Sequence, residues 1–335
     1  MKVKVNAPCP CGSGKKYKKF CMNSGAVIQQ NIAQVLQNTL LMHPDLSADD
    51  LQVVLDHKVK RHNEQSIEDF CGLSAEIMHS WINAKCNEAL NVRFNAPQCD
   101  TFHAPILAYV EVVVTDIIEN GGKLKATPKG NLPTKTVKKA AALLPHLVVA
   151  KYEKTLSISE FSGGTEDKFN AMHVTHILLQ QSGFIKLQKG VFSLTKKGET
   201  LYQSQGLHAF FVPLLHYYID EYNWGYLDGY SDDAMISMCW AFSFWRLQQH
   251  GNVEQLGKEI NTAFPWLAKE LPHCEYSPQE QQLQSIIEVR LINRFMTLFG
   301  FTLIAPFRYQ NGKKLPLKLE LQPLFTQVVQ FDGLP

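Results

Sequence analysis

One recurring pattern constrains the fold of this chain more than any other feature. An apolar stretch at helical spacing followed by a glycine recurs at 106–140, 169–204 and 289–329. In the first copy a short strand, a turn and a second helix follow the glycine, and in the other two copies short alternating strands follow it. Glycine commonly ends helices because it adopts the left-handed conformation without a steric penalty. In the second copy Lys189-Gly190 separates two strands, and in the third Asn311-Gly312 does so. The pattern predicts a mainly α protein with short β-hairpins, an α+β fold.

The second copy has the most specific order. Gly183 closes its helix, the hairpin follows, and Thr195 to Gly198 opens a last helix. This order resembles a winged-helix unit. The resemblance implies a nucleic-acid-binding regulator as one alternative function, with a helix at 172–181 that reads the duplex and a basic wing at 189–197.

Two helix starts are marked by hydroxyl side chains. Ser47 precedes a helical pattern and Asp50 follows three residues later, which predicts a capping box. Ser74 precedes a shorter pattern and is predicted to cap it in the same way.

Length and composition indicate a globular protein of two or three domains. The chain has 335 residues, of which 45% are hydrophobic, so it can bury a sizeable core. We expect four segments: a metal-binding module at 1–25, a helical region with the first unit at 26–160, a winged-helix-like unit at 161–215, and an aromatic-rich helical region with the last unit at 216–335.

The net charge and the length of the apolar runs indicate which classes of partner and which cell compartment fit this chain. A net charge of +2 supplies no global basic field of the kind that non-specific nucleic-acid binders carry. The first residues lack the apolar core of a signal peptide, and no apolar run approaches the roughly 20 residues of a membrane span. Eight unevenly spaced cysteines do not form a disulfide framework. These features predict a cytoplasmic protein without a membrane span.

The only cluster of cysteines lies near the start, in NAPCPCGSGKKYKKFCM at 6–22. Thiolates at such short spacings can turn inward onto one tetrahedral zinc ion. Gly12 and Gly14 let backbone amides approach the sulfur atoms. We therefore predict a Zn²⁺ site formed by Cys9, Cys11 and Cys21.

The run CPCGSGKKYKK resembles the SEC-C motif, the small zinc-binding module of the SecA preprotein translocase that is appended to many bacterial proteins. In that family, Cys-x-Cys is followed after eight residues by Cys and then Cys or His. Here Phe20, Cys21 and Met22 stand at the end of the motif, so one ligand is missing. The fourth ligand is left open between water and a more distant side chain, for which the candidates are Cys71, Cys86, Cys99 and His43.

The body is also similar to uncharacterised bacterial SEC-C proteins. The shared segments are GLS-x-E-x-MH from Gly72 to His79, KGNLP from Lys129 to Pro133, and NWGYLDG from Asn223 to Gly229. This resemblance implies an architecture and no particular activity.

Three other groups of side chains have the composition of possible sites. Six lysines between 123 and 139 predict a solvated basic face, with contact to phosphates as the alternative. His173 and His176 share a helix face, but no glutamate stands between them as in H-E-x-x-H, so we predict partly buried helix histidines rather than a metal site. The aromatic and acidic stretch at 222–233 predicts a packed turn whose aspartates cap the next helix, with an enzyme pocket as the alternative.

No catalytic or cofactor-binding residues are predicted, since the chain contains no phosphate loop, nucleophile elbow or other catalytic constellation. The function expected from the sequence is a non-enzymatic, zinc-binding SEC-C adaptor that recruits or recognises a macromolecular partner. A protein partner is favoured, nucleic acid is the alternative, and the oligomeric state is left open.

Overall fold

The computed structural model describes residues 41, 47–97, 104–143, 159–231 and 235–335. The fold is mainly α-helical with short antiparallel strand pairs, as the sequence predicts. The α-helices are α1 (Ala48–Asn63), α2 (Ala75–Asn83), α3 (Pro105–Glu119), α4 (Thr134–Ala141), α5 (Asn170–Gln181), α6 (Lys196–Gln205), α7 (Phe211–Asp220), α8 (Trp240–His250), α9 (Val253–Ala263), α10 (Pro265–Lys269), α11 (Gln279–Ile286) and α12 (Pro323–Val328). Six short 3₁₀ turns connect them within the described residues, among them Ser159–Phe161 and Glu166–Lys168.

The described strands are all short and pair antiparallel. They are β1 (Val92–Phe94), β2 (Leu124–Lys125), β3 (Ile185–Gln188), β4 (Val191–Leu194), β5 (Thr302–Ile304), β6 (Tyr309–Gln310), β7 (Lys313–Lys314), β8 (Leu319–Leu321) and β9 (Val329–Phe331). The pairs are β1 with β9, β5 with β8, and β6 with β7, while β2, β4 and β3 form a three-stranded sheet in that order.

Both predicted helix caps are present. The Ser47 hydroxyl accepts a hydrogen bond from the Asp50 backbone N–H, and the Asp50 carboxylate accepts one from the Ser47 backbone N–H, which completes the capping box of α1. The Ser74 hydroxyl accepts a hydrogen bond from Ile77 N–H at the start of α2. These caps satisfy amide groups that the first helical turn leaves without partners.

The helix and hairpin predicted for the second copy are confirmed. Lys189 and Gly190 both have positive φ, the conformation that a tight turn between twisted strands requires. The Thr195 hydroxyl then accepts a hydrogen bond from Gly198 N–H and caps α6. Gly198 is buried, and a Cβ at this position would lie 2.3 Å from the Phe184 carbonyl oxygen. A glycine is therefore required where α6 packs against the hairpin.

The first copy is joined to the second by its strand. Leu124 pairs with Phe192 across β2 and β4, and Ala126 N–H donates to the Gly190 carbonyl. The helix, glycine stop, strand and second helix predicted here are confirmed. The two copies therefore share one three-stranded sheet.

The third copy begins with an unusual helix. After α11 the backbone continues as a π-helix over Ile287–Met296, and Thr297 N–H donates to the Ile292 carbonyl five residues earlier. The predicted turn at Asn311-Gly312 connects β6 and β7. Segments of π-helix often lie at functional sites, because the wider turn changes the direction of the side chains that follow.

Buried side chains from Leu73 to Val329 form a single hydrophobic cluster. Aromatic rings dominate its centre, where Tyr218 stacks on Phe295 with ring centroids 4.3 Å apart and Trp224 meets the same ring edge-on at 4.7 Å. Such pairs add about 0.5–1.5 kcal/mol beyond the burial of their area. The core thus ties α7 and the 222–231 segment to the π-helix.

Residues 1–40, including the cysteine cluster, lie outside the described residues. The division of the chain into four segments stays a prediction. In the part of the chain that the structure describes, no helix has both the length and the apolar character needed to cross a bilayer.

Candidate metal centre

The three predicted zinc ligands Cys9, Cys11 and Cys21 lie outside the described residues, so their arrangement stays a prediction. Within the described ranges, one group of side chains has the chemistry and proximity of metal ligands. It consists of Glu166, His173 and His176, whose donor atoms all lie within 4.8 Å of one another.

Two adjoining elements position these three side chains. Glu166 begins the 3₁₀ turn that precedes α5, and the two histidines lie three residues apart on α5 itself, on one helix face. The chain reaches this turn through Gly163. A Cβ on Gly163 would lie 2.4 Å from the Lys168 carbonyl oxygen. Only glycine therefore permits the backbone at 163 to lie so close to the backbone at 168, which folds Glu166 over the helix.

One carboxylate oxygen faces both imidazole rings. The Nδ1 atoms of His173 and His176 each lie 2.8 Å from Oε1 of Glu166. The other oxygen, Oε2, accepts a hydrogen bond from the backbone N–H of Leu132. The carboxylate is therefore fixed from both sides, by the histidines and by the segment that leads into α4.

The cluster is buried on one side and reaches a cavity on the other. The Glu166 side chain is fully buried, His176 is 4% exposed and His173 is 18% exposed. Burial by itself would raise the pKa of Glu166. The hydrogen bonds from His173 and His176 and the backbone bond from Leu132 outweigh burial and lower this pKa to about 2. Glu166 is therefore a carboxylate at neutral pH.

Neighbouring side chains hold both imidazole rings. His176 Nε2 lies 3.2 Å from the amide oxygen of Gln180, and its ring meets Phe192 edge-on. His173 stacks on Tyr226 with an interplanar angle of 17°. Ring positions fixed in this way are typical of histidines whose nitrogen atoms are oriented for a specific partner.

A cavity of about 330 Å³ opens beside His173. Its wall includes Tyr226, Leu227 and the guanidinium of Arg294. Arg294 is held there by Glu160 and by the Tyr226 and Leu227 carbonyl groups. The π-helix thus supplies one wall of the cavity, α5 supplies the two imidazole groups and the preceding 3₁₀ turn supplies the carboxylate.

The acidic and aromatic stretch at 222–233 has a structural role in the part that is described. Trp224 is buried and donates its indole N–H to the Tyr218 carbonyl. The Asp228 carboxylate forms a buried ion pair with Arg290 and accepts a hydrogen bond from Tyr230 N–H. Asp232 and Asp233 lie outside the described residues. The predicted packed turn fits Trp224, whereas Asp228 pairs with Arg290 and does not cap the next helix as predicted.

Two of the four candidates for a fourth zinc ligand are described. Cys86 is fully buried and its thiol donates to Asp220, while burial and that carboxylate raise the thiol pKa. A thiol held protonated inside the core is unsuited to an ion bound by the N-terminal cysteines. Cys71 is half-buried, and burial raises its pKa as well. Cys99 and His43 lie outside the described residues.

Comparison with known proteins places the N-terminal cluster in a recognised motif. Residues 6–22 match the SEC-C motif. The match includes Cys9, Cys11 and Cys21, and it confirms the resemblance seen in the sequence. It covers a small part of the chain, so it identifies a module rather than the whole protein.

One curated relative shares a short segment. The uncharacterized protein YccF of Bacillus subtilis (strain 168) is 90% identical over 20 residues, which make up 6% of this chain and 6% of the relative. The aligned segment thus spans far less than two thirds of the relative. No solved structure matches at a significant level.

Sequence reasoning found the two histidines of the cluster and missed the acid. Both histidines lie on a helix and are largely buried, as predicted. Glu166 lies seven residues before His173, outside the helix, where no helical spacing marks it. The one available signal was the glycine pair Gly163-Gly164, which predicts a loop that can fold back on the helix.

Proposed function

We propose that the chain is a non-enzymatic, zinc-binding adaptor that recruits a macromolecular partner through its SEC-C motif. Cys9, Cys11 and Cys21 would hold Zn²⁺, with water as the fourth ligand. The observation that carries this proposal is the SEC-C match at 6–22, because it contains all three thiols at a spacing suited to tetrahedral zinc. A cytoplasmic location fits the free cysteines 71, 86, 239 and 274, since reducing compartments keep thiols unpaired.

The partner surface would be acidic. Four lysines lie between the second and third cysteines, at positions 15, 16, 18 and 19, and one zinc ion with three thiolates leaves most of their charge uncompensated. A compact group of cations steers binding towards a surface of opposite charge. An acidic protein surface is the partner that we favour.

Nucleic acid is the second candidate, and one observation favours it. Helix α3, strand β2, helices α4 and α5, and the β3–β4 hairpin follow one another in the order of a winged helix, with the sheet order β2-β4-β3. Lys186 and Lys189 are exposed on β3 and at the hairpin turn. We propose a winged-helix-like unit over 105–205, wider than the 161–215 that the sequence indicates.

The burial of α5 argues against reading a duplex with this unit. This is the helix at 172–181 that the winged-helix resemblance implies as reader, and a reading helix must present an exposed face to the major groove. Most of α5 is buried instead: Ala171, Met172, Val174, Thr175, His176, Leu178 and Leu179. We therefore place a protein partner first.

Site-specific crosslinking in cells tests the adaptor. A photoreactive residue at position 18 is compared between the parent chain and Cys21→Ala, with Cys274→Ala as the matched control because Cys274 is an exposed cysteine outside the motif. If the chain is an adaptor, one recurring protein adduct should form in the parent chain and in Cys274→Ala and should be absent in Cys21→Ala. An adduct that persists in Cys21→Ala, or no protein adduct at all, contradicts it.

Fluorescence anisotropy with duplex DNA tests the second candidate. If the chain is a protein-binding adaptor, it should bind the DNA weakly, the affinity should fall as salt rises, and the double variant Lys186→Glu/Lys189→Glu should bind as the parent does. Tight binding that this variant abolishes would instead establish the sheet and its hairpin as a nucleic-acid surface.

A further inference from the structure

We propose that Glu166, His173 and His176 bind a divalent ion of the zinc class in the body of the protein, at a site independent of the SEC-C cysteines. One carboxylate oxygen and two imidazole nitrogens converge there. Two imidazoles and a carboxylate suit Zn²⁺ and its neighbours in the first transition row, whereas Mg²⁺ and Ca²⁺ prefer oxygen ligands.

The hydrogen-bond pattern of His176 is compatible with a cation at the cluster. A neutral imidazole has one N–H donor and one lone pair. The two nitrogens of His176 face two oxygen atoms, Oε1 of Glu166 and the amide oxygen of Gln180. When Nε2–H donates to Gln180, the lone pair of Nδ1 points at the carboxylate 2.8 Å away. In this tautomer a proton on His176 or a metal ion near both atoms relieves the repulsion, whereas the Nδ1–H tautomer donates to the carboxylate without a cation.

The surrounding contacts match those found around metal ligands. A metal-ligating histidine commonly donates its second ring N–H to a carbonyl or carboxylate, and ligating carboxylates are themselves hydrogen-bonded. Gln180 supplies the acceptor for His176, and the Leu132 backbone N–H binds the second oxygen of Glu166. Two of the three proposed ligands therefore already have the partners that orient ligands at metal sites.

The two distances from Glu166 need only a small change to admit the ion, and the third, between the histidine nitrogens, is at most 4.8 Å. Zinc bonds of about 2.0–2.1 Å at tetrahedral angles place neighbouring ligand atoms about 3.3 Å apart. The two distances from Glu166 to the histidines are 2.8 Å, so each must lengthen by about half an ångström. His173 lies at the cavity and is partly exposed, which gives it room to move.

The cavity provides the fourth position. Three protein ligands with one open position are typical of zinc that also binds water or a substrate, whereas structural zinc has four protein ligands. The ion would reach its site past His173 from the cavity of about 330 Å³. A water molecule in that cavity would complete the tetrahedron.

Calorimetric titration with Zn²⁺ of the full chain carrying Cys9→Ser, Cys11→Ser and Cys21→Ser tests the site, because this background lacks the SEC-C thiolates. It is expected to bind one equivalent. Adding His173→Asn or Glu166→Gln is expected to abolish binding, and adding Gln180→Ala is expected to weaken it about tenfold or more. His250→Asn is the matched control, since His250 contacts a different carboxylate, that of Glu259. Circular dichroism checks that each variant is folded.

Several results would overturn the proposal. A folded background that binds no Zn²⁺ would leave a proton-bridged cluster in place of a metal site. Unchanged affinity after His173→Asn, or equal loss after His250→Asn, would assign the bound zinc to other groups. Gln180 is exposed, so its variant keeps the test valid even if Glu166→Gln fails to fold. Unchanged affinity in Gln180→Ala also contradicts the proposal.

Discussion

Asp228 and Arg290 form a buried two-point ion pair that fastens the 222–231 segment to the π-helix. Arg290 Nε lies 2.5 Å from one carboxylate oxygen and Nη2 lies 3.2 Å from the other. Nη2 also donates to the Ser231 carbonyl. Both side chains are almost completely buried, at 0% and 3% exposure. The position of Tyr226 beside His173 depends on this segment.

Removing the carboxylate should strongly destabilise the fold. In Asp228→Ala the buried guanidinium of Arg290 loses the carboxylate that binds its Nε and Nη2, and breaking a buried ion pair costs about 3–5 kcal/mol. Urea unfolding followed by circular dichroism measures the loss. The double variant Asp228→Ala/Arg290→Met should be more stable than the single variant, because it replaces the buried guanidinium with an apolar side chain. A loss below about 1 kcal/mol in Asp228→Ala would contradict the role given to the pair.

Gly198→Ala should destabilise the junction of α6 with the hairpin. The new Cβ would lie 2.3 Å from a backbone oxygen of Phe184, and a backbone atom cannot move aside as a flexible side chain can. We expect a loss of about 1–3 kcal/mol in the free energy of unfolding, despite the better helix propensity of alanine. Thr200→Ala is an exposed control on the same helix and should change stability little. Equal stability of the two variants would show that the junction tolerates a side chain.

Stability should fall on acidification through Glu166 and Glu259. Burial would raise both pKa values. The hydrogen bonds from histidine, and for Glu259 those from Arg246 and Gln255, outweigh burial and lower each pKa to about 2, from 4.5 in the unfolded chain. A pKa that is lower in the folded state adds stability above the unfolded value, and that stability is lost as pH falls from about 4.5 towards 2.

Urea midpoints measured in EDTA at several pH values test this dependence. The slope between pH values of about 5 and 3 should be smaller in Glu166→Gln than in the parent, because the variant has one carboxylate fewer to protonate. Glu199→Gln, on the exposed surface of α6, should keep the parent slope. Parallel slopes for the parent and Glu166→Gln would contradict the low pKa of Glu166.

Local chemistry was enough to predict much of the fold. The hydroxyl caps Ser47 and Ser74 and the turns at Lys189-Gly190 and Asn311-Gly312 lie where the sequence indicates. Each depends on side chains within a few residues of one another, which a reader can see in the sequence.

Contacts between distant parts of the chain could not be predicted in this way. The pairing of Leu124 with Phe192 and the packing that buries α5 depend on tertiary structure. The winged-helix resemblance implied an exposed reading helix because α5 has the right place in the order of elements. The contribution of Glu166 to the histidine pair depends on a turn permitted by Gly163, for which the sequence carries no specific spacing.

Zinc content per chain tests the central claim, that the SEC-C cysteines bind metal, most directly. Inductively coupled plasma mass spectrometry of the purified full chain, Cys21→Ala and Cys274→Ala separates the motif from an unrelated exposed thiol. We predict that the parent and Cys274→Ala carry the same zinc content and that Cys21→Ala carries one equivalent less. A parent without zinc, or a Cys21→Ala chain that keeps the full content, would contradict the account.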